Sequence, residues 1–203
     1  MDIAVLVSGS GTNLQSIIDS VESGHLKVNI KLVLSDNAEA YALKRAKKHN
    51  IATAIITKAD YPKRKEFDQK TVETLKEHSI ELVVLAGFMR LLSPVMIDAF
   101  PERIINIHPS LLPAFPGLDV QKKALEHGVK FSGCTVHFVD EGLDSGAIII
   151  QEVVPVLDGD TVETLKARIL EKEHIIYPKA IEYISKGLIQ INGRRVKIKE
   201  LSE

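Results

Sequence analysis

Ile3 to Val7 is an unbroken apolar run of strand length, and it gives way at once to Ser8-Gly9-Ser10-Gly11-Thr12-Asn13. A run with no polar alternation buries both of its faces, which is the habit of strands inside parallel sheets. A helix-period stretch follows, with Leu14, Ile17, Ile18 and Val21 at i, i+3, i+4 and i+7, and Gly24 supplies a stop. The rhythm then repeats. Ile30 to Leu34 is a second apolar run, closed by Ser35-Asp36-Asn37, and a helix over Ala38 to His49 leads to a third strand near Ile51 to Ile56. Parallel strands need crossover helices and the crossovers are right-handed, so the expected fold is doubly wound α/β, Rossmann-like in its N-terminal half.

Farther along, Lys63 to His78 reads as a helix with Pro62 suited to its first turn, and Leu82 to Ala86 as a buried strand. Pro94 to Phe100 is a short helix, Arg103 to Ile107 a strand, and the proline-bearing Ser110 to Asp119 a loop before a helix ending at His127. Cys134 to Val139 and Ile148 to Val156 are joined by a connection too short for a crossover, so they form an antiparallel pair in an otherwise mostly parallel, twisted sheet. Thr161 to Ser185 is the longest helix, and Pro178 is expected to kink or split it. Asn192-Gly193, between Leu188–Ile191 and Val196–Ile198, is the strongest hairpin signal in the chain. With no linker or repeat, 203 residues make a single domain over 1–187 with a hairpin tail over 188–203.

Charge and cysteine usage remove several function classes. A net charge of −1 offers no basic surface for nucleic acid. Cys134 is the only cysteine, so neither an intrachain disulfide nor a thiolate metal cluster is available, and its apolar neighbours suggest a buried packing thiol. The N-terminus lacks the basic start of a signal peptide, and no apolar run reaches the ~18 residues of a membrane span. The expectation is a cytoplasmic protein, monomer or homodimer, that handles small molecules and binds neither nucleic acid nor membrane.

The Gly9-Ser10-Gly11-Thr12-Asn13 turn joins a strand to a helix, where backbone N–H groups and the helix dipole favour a phosphate. It has no P-loop lysine, and Leu14 stands where a dinucleotide fingerprint wants a small residue, so a phosphomonoester is favoured over a tight turn with no ligand. Asn106 and His108 sit two residues apart in a strand and share a face, and Pro109 ends the strand behind them. They are either an electrophile-handling pair at the mouth of a sheet or merely a capped Asn and a surface His. Asp140, Glu141 and Asp144 stand in a glycine-flanked loop after a strand, on the ligand side of open α/β sheets. His108, His137 and Asp144 have the composition of a facial triad, but they come from separate segments with no close His pair, and no metal is assigned. His137 supports the site or is a satisfied core histidine. Gly87 to Leu92, apolar but for Arg90, reads as core from the residues alone, Lys63-Arg64-Lys65 as a solvated face, and Glu173 as a surface acid.

The run Asn106-Ile107-His108-Pro109-Ser110-Leu111-Leu112-Pro113 resembles the signature of the folate-dependent formyltransferases. The Gly11-Thr12-Asn13 turn, the Asp144 loop and Glu173-His174 with Tyr177-Pro178 extend that resemblance to about Gly187. It implies transfer of a formyl group from 10-formyltetrahydrofolate to the amino group of glycinamide ribonucleotide, without a metal. It assigns Gly11, Thr12, Asn13 and Glu173 to the ribonucleotide. Arg64, Met89, Arg90, Leu91, Leu92, Asn106 and the loop Asp140, Glu141, Gly142, Leu143, Asp144 are assigned to the folate. It makes Asn106, His108 and Asp144 catalytic, with Asp144 favouring the charged ring of His108 and both donors serving the oxyanion of a tetrahedral adduct. Methionyl-tRNA formyltransferases carry a further C-terminal domain and a basic surface, which are not expected of this sequence, and formyltetrahydrofolate deformylases an N-terminal regulatory domain, which is not expected of a fold that starts at Ile3. A phosphate-binding module without catalysis would keep the glycine turn but have no use for Asn106, His108 and Asp144.

Overall fold

The computed structural model describes residues 1–199, with nine strands and six helices among them. The chain divides into two compact units, the first Met1–Asn106 and the second beginning at Ile107.

In the first unit, strand and helix alternate as the apolar pattern dictates: β1 (Asp2–Val7), α1 (Thr12–Glu22), β2 (Asn29–Ser35), α2 (Tyr41–Lys48), β3 (Ala52–Ile55), α3 (Arg64–Glu77), β4 (Leu82–Leu85), α4 (Pro94–Ala99) and the first three residues of β5 (Ile104–His108), whose last two begin the second unit. The strands pair in parallel in the order β3-β2-β1-β4-β5. β1 is central, and its Leu6 lies between Leu34 of β2 and Leu85 of β4. Ile3 to Val7 are wholly buried, as an apolar run without alternation requires. Right-handed crossovers running outward from β1 in both directions put α1 and α2 on one face and α3 and α4 on the other. α1 closes its face with Leu14, Ile17 and Ile18, each worth roughly 1.5–3 kcal/mol over an exposed side chain. Two helix starts differ from expectation. α2 begins at Tyr41 rather than Ala38, because Asn37 engages the following backbone in a turn, its side chain accepting from Glu39 N–H and its carbonyl from Ala40 N–H. Lys63 is the N-cap of α3, so Pro62 stands just outside the helix.

The second unit holds α5 (Val120–Glu126), β6 (Phe131–Phe138), β7 (Ile148–Pro155), α6 (Val162–Ser185), β8 (Ile189–Asn192) and β9 (Arg195–Ile198). β6 and β7 form the expected antiparallel pair, with a register shift between Val136 and His137. β9 runs parallel to β7 and antiparallel to β8. α6 packs on β6 and β7 through Leu165, Ile169, Ile176, Tyr177, Ala180 and Ile181. It is capped at Thr161 by reciprocal bonds with Thr164. Pro178 does not split it: the helix runs unbroken to Ser185 with the proline buried inside. The hairpin turn is also one residue later than expected. Asn192 pairs with Arg195, which leaves Gly193 and Arg194 as the loop, and Gly193 takes the positive φ of 59°. A glycine at the first loop position with a negative φ after it is the type II′ solution. Residues 200–203 of the anticipated tail lie outside the described residues.

Candidate active site

In the first unit the order in which strands are added to the sheet reverses at β1, so a crevice opens where the loops after β1 and β4 part, the usual ligand position in open α/β sheets. A pocket there is lined by Ser8 to Asn13 together with Ala86, Gly87 and Met89. Ser8 ties the two loops: its N–H donates to the Gly87 carbonyl at 3.2 Å and its Oγ accepts from Met89 N–H at 2.9 Å. Gly11 is required. It holds φ 71°, and a Cβ there would come within 2.6 Å of the Ala42 Cβ. Thr12 and Asn13 open α1 directly behind it, leaving the first N–H groups of the helix without intrahelical partners.

The stretch after β4 is not core throughout. Met89 and Leu91 are 71% and 63% exposed, while Leu92 is buried. Arg90 is fixed by its guanidinium lying 3.9 Å from the centre of the Phe67 ring, and Ser93 N–H donates to the buried carboxylate of Asp68. Arg64, the first residue of α3, is exposed. Asn106, half-buried near the end of β5, is in register with Leu85.

In the second unit His108 and Asp144 come together. His108, the last residue of β5, is 5% exposed. Its Nε2–H donates to the Phe115 carbonyl at 2.9 Å, and its Nδ1 lies 3.5 Å from Asp144 Oδ2. Both ring nitrogens therefore face oxygen atoms. Asp144 is held in turn by the Gly117 N–H, which donates to Oδ2 at 2.8 Å. It adopts φ 50°, a left-handed conformation that Asp tolerates better than most side chains.

The rest of the acidic loop behaves differently. Asp140, Glu141, Gly142 and Leu143 are exposed, and Asp140 only closes the loop on itself, accepting from Gly142 N–H and Ser145 Oγ. His137 Nε2 lies 3.8 Å from Asp144 Oδ1, and its Nδ1–H donates to the Phe138 carbonyl at 2.7 Å. Burial pushes the His137 pKa down against the opposing pull of that carbonyl and of Asp144, which suits a neutral supporting ring.

The loop that carries Phe115 and Gly117 is anchored to β6 and β7. Thr135 Oγ1 donates to the Ser110 carbonyl at 2.7 Å and accepts from Leu112 N–H at 3.1 Å. Gln151 Nε2 donates to the Leu112 carbonyl at 2.8 Å and to Thr135 Oγ1 at 2.9 Å. These supports were missing from the sequence reading. Backbone groups leave no residue signature, though a threonine inside the apolar run of β6 was a usable hint. Glu173 corrects a second expectation: it is a buried residue of α6 and not a surface acid. Cys134 is fully buried, and burial, followed by the charges of Glu173 and Glu152, pushes its thiol up to about 12, as befits a packing residue.

A sequence profile described as formyl transferase matches residues 1–181. Phosphoribosylglycinamide formyltransferase of Escherichia coli (strain K12) is 40% identical over 95% of this chain and 91% of its own length. The trifunctional purine biosynthetic protein adenosine-3 of Homo sapiens is 44% identical over 98% of this chain, and the chain spans only 20% of that protein. The corresponding share is 14% for the trifunctional protein of Chironomus tentans, at 46% identity. The crystal structure of glycinamide ribonucleotide transformylase 1 from Symbiobacterium toebii superposes with a TM-score of 0.97 at 53% identity, covering 98% of this chain and 94% of that one.

Proposed function

Because this chain belongs to the formyl transferase family, we propose that it moves a formyl group from 10-formyltetrahydrofolate to the amino group of N1-(5-phospho-D-ribosyl)glycinamide, a step of de novo purine (IMP) biosynthesis. Residues 1–187 act as the formyltransferase domain with 188–203 as its tail, in the cytoplasm and on small molecules. The phosphate of the ribonucleotide sits on Gly11, Thr12 and Asn13, and Glu173 holds its glycinamide end. To the donor we assign Arg64, Met89 to Leu92, Asn106 and Asp140 to Asp144.

The substrate amine attacks the formyl carbon directly, with both reactants held together. A C–N bond forms, the carbonyl oxygen takes up negative charge, and the adduct collapses by breaking the bond to N10 of the folate. One proton leaves the attacking nitrogen and one arrives at N10. Asn106 and His108 donate to the oxyanion, each donor being worth ~10²–10³ in rate. His108 Nε2 donates to the Phe115 carbonyl, whereas Nδ1 stands 3.5 Å from Asp144 Oδ2, too long for a firm hydrogen bond, so Nδ1 is the nitrogen left to serve the oxyanion and shuttle the proton. The chemistry requires neither a metal nor a covalent enzyme intermediate. The observation that carries this reading is the buried His108 ring fastened by a backbone carbonyl on one nitrogen and 3.5 Å from a carboxylate on the other.

The test is to mix the protein with 10-formyltetrahydrofolate and follow loss of the donor, with and without glycinamide ribonucleotide and with and without a chelator. Loss that requires the ribonucleotide and ignores the chelator supports the transfer. Loss without the ribonucleotide means hydrolysis, and no loss at all means a binding protein; either outcome overturns it.

A further inference from the structure

A backbone cradle for a phosphate must turn its N–H groups toward the ligand and its carbonyl oxygens away, because a carbonyl dipole facing a dianion is repulsive. Three successive carbonyls of the turn are held from behind. The Gly9 carbonyl accepts from Ala42 N–H at 3.1 Å, and the Gly11 carbonyl from Gln15 N–H at 3.0 Å. The Ser10 carbonyl between them is held by a side chain instead: Arg45 Nε–H donates to it at 2.9 Å. Arg45 also donates from Nη1 to Gln15 Oε1 at 3.1 Å, and Gln15 Nε2 donates on to Asp19 at 2.8 Å. The guanidinium, 5.0 Å from the centre of the Tyr41 ring, thus bolts α2 to both the turn and the first turn of α1.

We propose that Arg45 is the positioning residue of this turn: its fork holds the Ser10 carbonyl away from the pocket and so sets the affinity for the phosphate group of the substrate. The same bond polarises the Ser10–Gly11 peptide and makes the Gly11 N–H a stronger donor. Arginine is suited to the task because its planar fork makes both bonds at once, whereas a lysine ammonium has no such fixed geometry. This inference rests on the assignment of the ribonucleotide phosphate to Gly11, Thr12 and Asn13.

The experiment compares wild type and Arg45→Met for binding of glycinamide ribonucleotide and of its dephosphorylated riboside, together with KM for each substrate and kcat. Loss of a charge-assisted hydrogen bond behind the cradle is expected to weaken ribonucleotide binding by about tenfold or more. Riboside binding, donor KM and kcat at saturation should stay near wild type, and Arg45→Lys should recover only part of the loss. Ribonucleotide affinity equal to wild type, or an equal loss for ribonucleotide and riboside, overturns the proposal. Should Arg45→Met fail to fold, Gln15→Leu carries the same test, since of the two Arg45 bonds it releases the Nη1 one and keeps the bond to Ser10, with the Gln15 contacts to Asp19 and His49 lost beside it, and should give a smaller phosphate-selective loss; no loss there overturns the proposal. A wild-type protein that does not prefer ribonucleotide to riboside would refute the phosphate assignment itself, which separates the two failures.

Discussion

Asp144 is the residue on which the geometry of the second unit converges, and little of that convergence comes from its own side chain. Its left-handed φ of 50° costs on the order of 1 kcal/mol, and what it secures is a carboxylate aimed at His108 with a backbone N–H from Gly117 behind it. Residue type and spacing announced Asn106 and His108 as candidates and the family resemblance added Asp144, yet the Phe115 carbonyl that engages His108 Nε2 had no signature to read. Cys134 shows the opposite situation, in which the apolar neighbours alone disclosed the environment. With its thiol pushed up to about 12 by burial and by Glu173 and Glu152, almost none of it is thiolate near pH 8. Iodoacetamide at that pH should leave the folded protein unlabelled and modify Cys134 only after denaturant is added. Rapid labelling of the native chain would contradict the burial argument.

Among the elements, α6 depends on its first turn. Asp160, just before the helix, accepts from both terminal nitrogens of Arg168, from Leu157 N–H and from Thr164 Oγ1. Chiefly through Arg168, these bonds hold the Asp160 carboxyl well below the usual carboxylate range. A group whose pKa is lowered by folding stabilises the protein above its unfolded value of about 3.9 and loses that contribution as pH falls from there toward the folded value. Asp160→Asn should therefore melt below wild type at neutral pH, with a gap that narrows as the buffer is taken below about pH 4; a gap independent of pH would refute the linkage. The same helix marks the reach of local pattern reading. Its extent was legible from the sequence, but its Thr161 cap and the survival of Pro178 inside it were not. The buried face formed by Leu165, Ile169, Ile176, Tyr177, Ala180 and Ile181 outweighs the hydrogen bond and sterics that a proline forfeits. The hairpin was likewise legible as a hairpin, and its turn shifted by one residue because Asn192 is taken up by pairing with Arg195.

For the whole chain, the alternation of apolar runs and helix-period stretches disclosed that the strands of the first unit are parallel. It did not disclose their order, β3-β2-β1-β4-β5, which depends on contacts far apart in sequence. That order is what parts the loops after β1 and β4 and opens the pocket between them, so the glycine turn was legible as a motif but its partnership with Ala86, Gly87 and Met89 was not. Among the described residues no helix is long and apolar enough to cross a membrane. What joins these features into an enzyme is the claim that two hydrogen-bond donors serve one formyl oxygen as it becomes an oxyanion. The most direct measurement is kcat, at saturating donor and acceptor, for Asn106→Ala and His108→Ala beside the unaltered chain, with binding of both substrates determined independently. Each substitution is expected to lower kcat by ~10²–10³ while binding changes little. A kcat within a few-fold of the original for either variant, or a loss confined to binding, would contradict it.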